Sequence, residues 1–213
     1  MERWEFGVEP LEQTQQVASL IRRIMSLALA CEFDGDVVGE LITALGEAET
    51  ALMKSVPPEV TVRVGDNVDV DGRVYIDHAR NIGAYNAAFP EYSIEVDLAT
   101  DSARGAVNFP VIYEGPPGIV HGGVLAQFFD CVVQHHNCDV GVAGKTTRLS
   151  ISYRRPTPIA TPLEFSLTRV VEDDRIKSTG ELLLNDKVLC VVEVDAIAGV
   201  RANLPSVSPR KLR

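Results

Sequence analysis

Two stretches near the start of the chain repeat apolar residues at helical spacing. Residues 11 to 31 carry Leu20, Ile21, Ile24, Leu27, Ala28 and Cys31 on one stripe, and Asp36 to Lys54 repeats the pattern with Val37, Val38, Leu41, Ile42, Leu45, Ala48 and Leu52. Both predict amphipathic helices. Phe33-Asp34-Gly35 separates them, and Ser55-Val56-Pro57-Pro58 stops the second. From Val60 the period drops to two, through Val62, Val64, Val68 and Val70 to Val74 and Ile76 around Asp71-Gly72, which predicts a hairpin. Asn81 to Pro90 reads as irregular.

The second half of the chain is built on strands. Tyr92 to Leu98 and Gly105 to Tyr113 are expected strands, followed by a helix from about Gly122 to His136. Val124, Leu125, Phe128, Phe129, Val132 and Val133 cover most of that helix's circumference, so it must be buried on nearly all sides. A sheet wrapped around a central helix meets that requirement. Next, Thr147, Leu149, Ile151 and Tyr153 alternate with Thr146, Arg148, Ser150 and Ser152, and Leu163, Phe165 and Leu167 alternate with Glu164, Ser166 and Thr168. Two more strands lie in Ile176 to Leu184 and Val188 to Ala198, joined at Asn185-Asp186. Regular alternation means antiparallel strands, and the class is α+β.

The chemistry concentrates at the head of the central helix. Gly115-Pro116-Pro117-Gly118-Ile119-Val120 is a rigid turn that delivers His121, Gly122 and Gly123 to a helix carrying one carboxylate, Asp130. Glycines at a helix N-terminus leave N–H groups open to a ligand, and the helix dipole there favours developing negative charge, which is oxyanion-hole chemistry in outline. Asp130 is the candidate general base or nucleophile, because a carboxylate on an apolar helix is costly without a purpose or a partner. Seven residues separate Gly123 from Asp130, an advance of roughly 10 Å along the helix axis. One chain cannot bring both to one carbonyl, but two antiparallel copies of the helix across a dimer axis could.

His-Gly-Gly with an Asp nine residues after the His, followed by a Thr-rich strand ending Ser152-Tyr153-Arg154-Arg155-Pro156-Thr157-Pro158, resembles the hotdog-fold acyl-CoA thioesterases of the phenylacetate-degradation and thioesterase-superfamily-member type. The resemblance covers residues 92 to 199, and Glu114-Gly115-Pro116-Pro117-Gly118 sharpens it. It implies a hotdog fold in which the Gly123 N–H polarises the thioester carbonyl and Asp130, from the partner subunit, acts as base or nucleophile. It also implies that Thr146, seven residues before Tyr153, helps place the water. Where some members carry an Asn six residues before the His, this chain has Gly115. The implied organisation is a helical extension over 1–57, a connecting segment with the hairpin over 58–91, the hotdog domain over 92–200 and an extended tail over 201–213.

Composition narrows the partners. At 213 residues with 46% apolar residues, the chain suits one core plus an arm. A net charge of −10 argues against nucleic acid and gives no attraction to anionic lipid. An anionic acyl-CoA substrate then needs local basic residues, for which Lys145, Arg148, Arg154 and Arg155 are candidates, with Gly122 beside the carbonyl site. Residues 1 to 57 hold ten acidic against four basic residues, which weighs against a DNA-reading helix pair.

Cys31, Cys131, Cys138 and Cys190 show neither metal spacing nor a disulfide framework, so reduced thiols and a cytoplasmic setting are expected, with no membrane span. Beside Asp130, Cys131 reads as a buried inert thiol. His135-His136-Asn137-Cys138-Asp139 matches no zinc pattern and reads as a solvated or interface-facing helix end. His121 reads first as a structural histidine that fixes the turn. No metal and no cofactor are expected, and the partners are an acyl-CoA and a second copy, with a dimer of dimers left open. A hotdog hydratase or dehydratase is the rival enzyme. A non-catalytic acyl-CoA-binding or partner-binding dimer using the acidic arm is the rival from another class.

Overall fold

The computed structural model describes residues 12–33, 35–55, 81–138 and 144–198. The helices α1 (Glu12–Ala30), α2 (Asp36–Ser55) and α3 (Ile82–Tyr85) lead into β1 (Tyr92–Asp97) and β2 (Ser102–Asn108). A 3-10 turn, Val111–Tyr113, precedes the long helix α4 (Gly122–Cys138), and β3 (Gly144–Tyr153), β4 (Pro162–Glu172), β5 (Arg175–Leu184) and β6 (Lys187–Ala198) complete the chain. The expected hairpin over 60–76 and the tail over 201–213 lie outside the described residues.

All six strands form one antiparallel sheet in the order β1-β2-β4-β5-β6-β3, so β1 and β3 are its edges. Alternation sets which face is buried: in β4, Leu163, Phe165 and Leu167 are buried while Pro162, Glu164 and Thr168 are exposed. The β5–β6 hairpin closes on Asn185 and Asp186, both at positive φ (49° and 62°), as a two-residue turn between right-twisted strands requires.

The concave face holds α4. Leu125, Phe128, Phe129, Val132 and Val133 are at most 2% exposed, and the Phe128 ring meets Phe89, Tyr92, Phe109, Phe129 and Phe165 at centroid separations of 5.3 to 6.1 Å. Each such side chain contributes about 1.5–3 kcal/mol through burial. Gly180 in β5 lets the helix approach this closely. A Cβ there would lie 2.8 Å from Leu167 Cδ2, 2.9 Å from Val192 Cγ1 and 3.1 Å from Phe129 Cε1.

Three local expectations are corrected. The second strand is Ser102–Asn108, not Gly105 to Tyr113: Asp101 takes φ 50° to start it early, and Pro110 sits where a 3-10 turn replaces it. The segment 81–90 contains the helical turn α3. The His135–Asn137 end of α4 is not solvated, because His136 and Asn137 are fully buried under the sheet.

In the N-terminal arm, α1 packs on α3 and on the Val111–Tyr113 turn, with Ala18 and Arg22 buried. No residue of α2 is buried, and Val37, Ile42, Leu45, Leu52 and Met53 are exposed.

Candidate active site

The turn ahead of α4 is held from both sides. Gly115 N–H donates to Ile119 O at 2.8 Å, His121 N–H to Tyr113 O at 2.9 Å and Val120 N–H to Thr157 O at 2.8 Å. Gly118, at φ 76°, makes the reversal that a side chain would resist. At position 115 a Cβ would lie 2.9 Å from His121 Cα, so nothing larger than glycine fits there and no side chain reaches the site from that position.

His121 caps the helix. Its carbonyl accepts from Val124 N–H (2.9 Å) and Leu125 N–H (3.3 Å), while its ring Nδ1 accepts from Gly123 N–H at 3.0 Å. The ring thus does for a first-turn N–H what a Ser or Asp side chain does elsewhere, and in the neutral imidazole this places the proton on Nε2. Gly122 opens the helix, where N–H groups lie ahead of intrahelical bonding. Its carbonyl accepts from the Tyr153 hydroxyl at 2.8 Å, which ties the helix head to the end of β3.

Two turns along, the Thr146 hydroxyl donates to Asp130 Oδ1 at 2.6 Å, and Gln134 Nε2 donates to Thr146 Oγ1 at 2.8 Å. All three residues are half-buried. Both lone-pair and proton positions of the hydroxyl are thereby set, so the carboxylate is held in one orientation by a donor that is itself oriented. A break in strand register explains how Thr146 gets there. Leu149, Ile151 and Tyr153 pair with Val194, Val192 and Cys190, and strict alternation would put Thr147 opposite Ala196. A bulge between Thr146 and Arg148 puts Thr146 there instead, on the face toward α4.

Gly123, Gln127, Asp130 and Gln134 are spaced four, three and four residues apart, on one stripe of α4. Gly123 and Gln127 are exposed and Asp130 and Gln134 half-buried, whereas the opposite stripe is sealed by the sheet. The candidate residues therefore share the helix face that their own sheet leaves open.

The basic candidates do not converge within one chain. Lys145 and Arg154 lie at opposite ends of β3, roughly 30 Å apart at strand rise. Arg154 and Arg155 are exposed directly after Tyr153, whose hydroxyl reaches Gly122, with Arg155 Nη1 donating to Val188 O at 2.6 Å, and Arg148 stands 3.9 Å from Asp195. Cys131 is half-buried, and burial, reinforced by the neighbouring Asp130 charge, pushes its thiol up to about 11, which removes it as a nucleophile near neutrality. His135 leaves the surface to receive the Tyr92 hydroxyl (2.8 Å) and Asn81 N–H (3.1 Å) at Nδ1. The buried Arg169 donates to the His136 carbonyl and pairs with Asp101 at 3.0 Å, closing the C-terminal end of α4. Among the described residues no three His, Cys, Asp or Glu side chains group as metal ligands, and no helix is long and apolar enough to cross a membrane.

Sequence reasoning missed Gln134 and Tyr153 as supports. Gln134 was discoverable, since i, i+4 from Asp130 places it on the same face. Tyr153 depends on strand end meeting helix head, which spacing does not reveal.

No family model matches the sequence. Among solved structures, the chain is similar to a thioesterase superfamily protein, with a TM-score of 0.68 and 26% identity over 88% of this chain and 96% of that one. Residues 81–213 make up less than two thirds of the chain, so this match runs well into the N-terminal helices. It is also similar to a putative phenylacetic acid degradation-related thioesterase from Ralstonia eutropha JMP134 (TM-score 0.47, 22% identity, 50% of this chain and 84% of that one). A third similar structure is a hypothetical thioesterase with coenzyme A from Streptococcus pneumoniae TIGR4 (TM-score 0.46, 17% identity, 51% and 88%). With an antiparallel sheet around α4 and a match over nearly the whole of the first of these, the chain has the hotdog fold of the thioesterase superfamily.

Proposed function

We propose that the chain hydrolyses acyl-CoA or aryl-CoA thioesters to the free acid and CoA, as a homodimer in which each site joins the α4 head of one copy to Asp130 of the other. The observation that supports this most is the Gln134–Thr146–Asp130 chain, a carboxylate oriented by a 2.6 Å hydroxyl contact on the one open face of an otherwise buried helix. The Gly123 N–H supplies the oxyanion donor once the carbonyl oxygen replaces His121 Nδ1, the ring turning aside. If Asp130 acts as base, it takes a proton from water, the hydroxide oxygen bonds to the carbonyl carbon, the C–S bond breaks and the thiolate collects a proton. If it acts as nucleophile, its oxygen displaces the thiolate, and water then hydrolyses the mixed anhydride. Arg154 and Arg155, exposed near the helix head, are the nearer candidates for CoA phosphates; Lys145 would serve only across the dimer.

One observation favours a binding module without turnover: the Gly123 N–H is already capped by His121 Nδ1. Thiol release measured across a panel of acyl-CoA and aryl-CoA thioesters decides between them. Turnover on some member supports the hydrolase, and affinity without turnover on any gives the binding module.

A further inference from the structure

α1 contributes one deeply buried charge to the body of the protein. Arg22, 4% exposed, donates through Nε to Phe89 O (2.8 Å) and through Nη2 to Gly83 O (2.7 Å) and Asn86 O (2.9 Å), and it pairs with Glu91. It also faces the buried hydroxyl of Tyr113, where its charge offsets part of the burial that pushes the phenol up to about 12. Both ends of this cluster lead to α4. The Phe89 ring stacks on Phe128 at 6.1 Å and 23°, and the Tyr113 carbonyl accepts the His121 N–H. Removing the guanidinium would take that donor from the Phe89 and Gly83 carbonyls, while Asn86 O keeps only the Phe89 N–H at 3.0 Å, so the loop loses the group that holds its shape.

We propose that Arg22 is a positioning residue for the His121–Gly123 turn, so that the N-terminal arm is a working part of the active site; the effect on turnover rests on the hydrolase reading. The guanidinium holds the Phe89 carbonyl and sets its charge beside Tyr113, and these two residues fix where the helix head presents its N–H. Misplacement of that donor by about an ångström costs up to about 100-fold.

The test uses the full-length chain with Arg22→Met, Arg22→Lys and Tyr113→Phe, read by hydrogen exchange and by steady-state kinetics. Arg22→Met is expected to speed exchange across residues 113–123 while β4–β6 stay protected, and to lower kcat about 10-fold to 100-fold with KM little changed. Arg22→Lys should recover part of both, and Tyr113→Phe should reproduce the kcat loss at smaller size. If Arg22→Met fails to fold, Arg22→Lys and Tyr113→Phe carry the comparison. Unchanged exchange over 113–123 overturns the proposal, as does a kcat equal to wild type. Absence of wild-type turnover sinks the hydrolase reading instead, and the exchange measurement still decides whether Arg22 holds the turn.

Discussion

Thr146 donates its hydroxyl proton to Asp130 Oδ1 across 2.6 Å, and that contact joins an edge strand to the central helix at the one carboxylate on the open face of α4. The contact orients the carboxylate without burying it fully, as a group that must meet both water and substrate requires.

Asp130→Asn keeps the size and the acceptor oxygen for Thr146, so folding and ligand binding should survive. Turnover should fall by about 10²-fold to 10⁴-fold, the scale for loss of a general base. Near-normal hydrolysis by this variant refutes the assignment.

Sharing of the site is read by mixing. Gly123→Pro deletes the N–H at a position where a helix tolerates proline. Asp130→Asn and Gly123→Pro chains, each inactive alone, should regain one working site in the mixed dimer; activity no higher than either parent contradicts the shared site.

Thr146→Val preserves shape and removes the donor. We expect kcat to drop about tenfold, the scale of one hydrogen bond to a charged group, with substrate affinity little changed. Adding Gln134→Met should cost little more, since the two act through one oxygen. An additive loss would mean that Gln134 acts on its own.

Two glycines should respond with opposite sign. Gly180→Ala forces a methyl against Leu167, Val192 and Phe129 and should cost about 1–3 kcal/mol. Gly39→Ala in α2, with nothing within 4 Å, should gain about 0.5–1 kcal/mol. Thermal denaturation checks both, and an unchanged Tm for Gly180→Ala would show that the helix does not need this approach.

Alkaline pH should loosen the fold. Burial pushes the thiol of Cys190 from 9.0 up to about 12 and that of Cys131 up to about 11, and raises Tyr92 as well. The native chain therefore keeps protons that the unfolded chain loses, so this stability is present below pH 9 and lost as pH climbs toward 11. Urea midpoints should fall across that window, less steeply in Cys190→Ala; a flat profile would count against the burial of these groups.

Much of this was legible in the sequence. The apolar run Val124–Val133 required a wrapped helix, and two-residue alternation gave β5 and β6 nearly to their ends and β4 as far as Thr168, short of its end at Glu172. Periodicity failed where an atom outside the element decided: at Asp101 and Pro110, which moved β2, and at His136, which Arg169 draws under the sheet. At the candidate site alternation misread one strand. Thr146 and Tyr153 are an odd number of residues apart, so a regular strand would aim them to opposite faces; both touch α4 because of the bulge, which alternation does not mark. The covering of Gly123 N–H by His121 had no sequence signal, since a ring reaching two residues ahead depends on χ angles.

The extra residue at Thr147 makes the strand a counting device. Deleting it would leave β3 more regular, with unbroken pairing to β6 and an ordinary appearance by composition. Thr146 would stay opposite Ala196 on the face toward α4, so its hydroxyl would keep its place beside Asp130. Activity should therefore survive removal of Thr147 itself, whereas straightening the strand at its present length would put Thr147 opposite Ala196 and turn Thr146 to the other face.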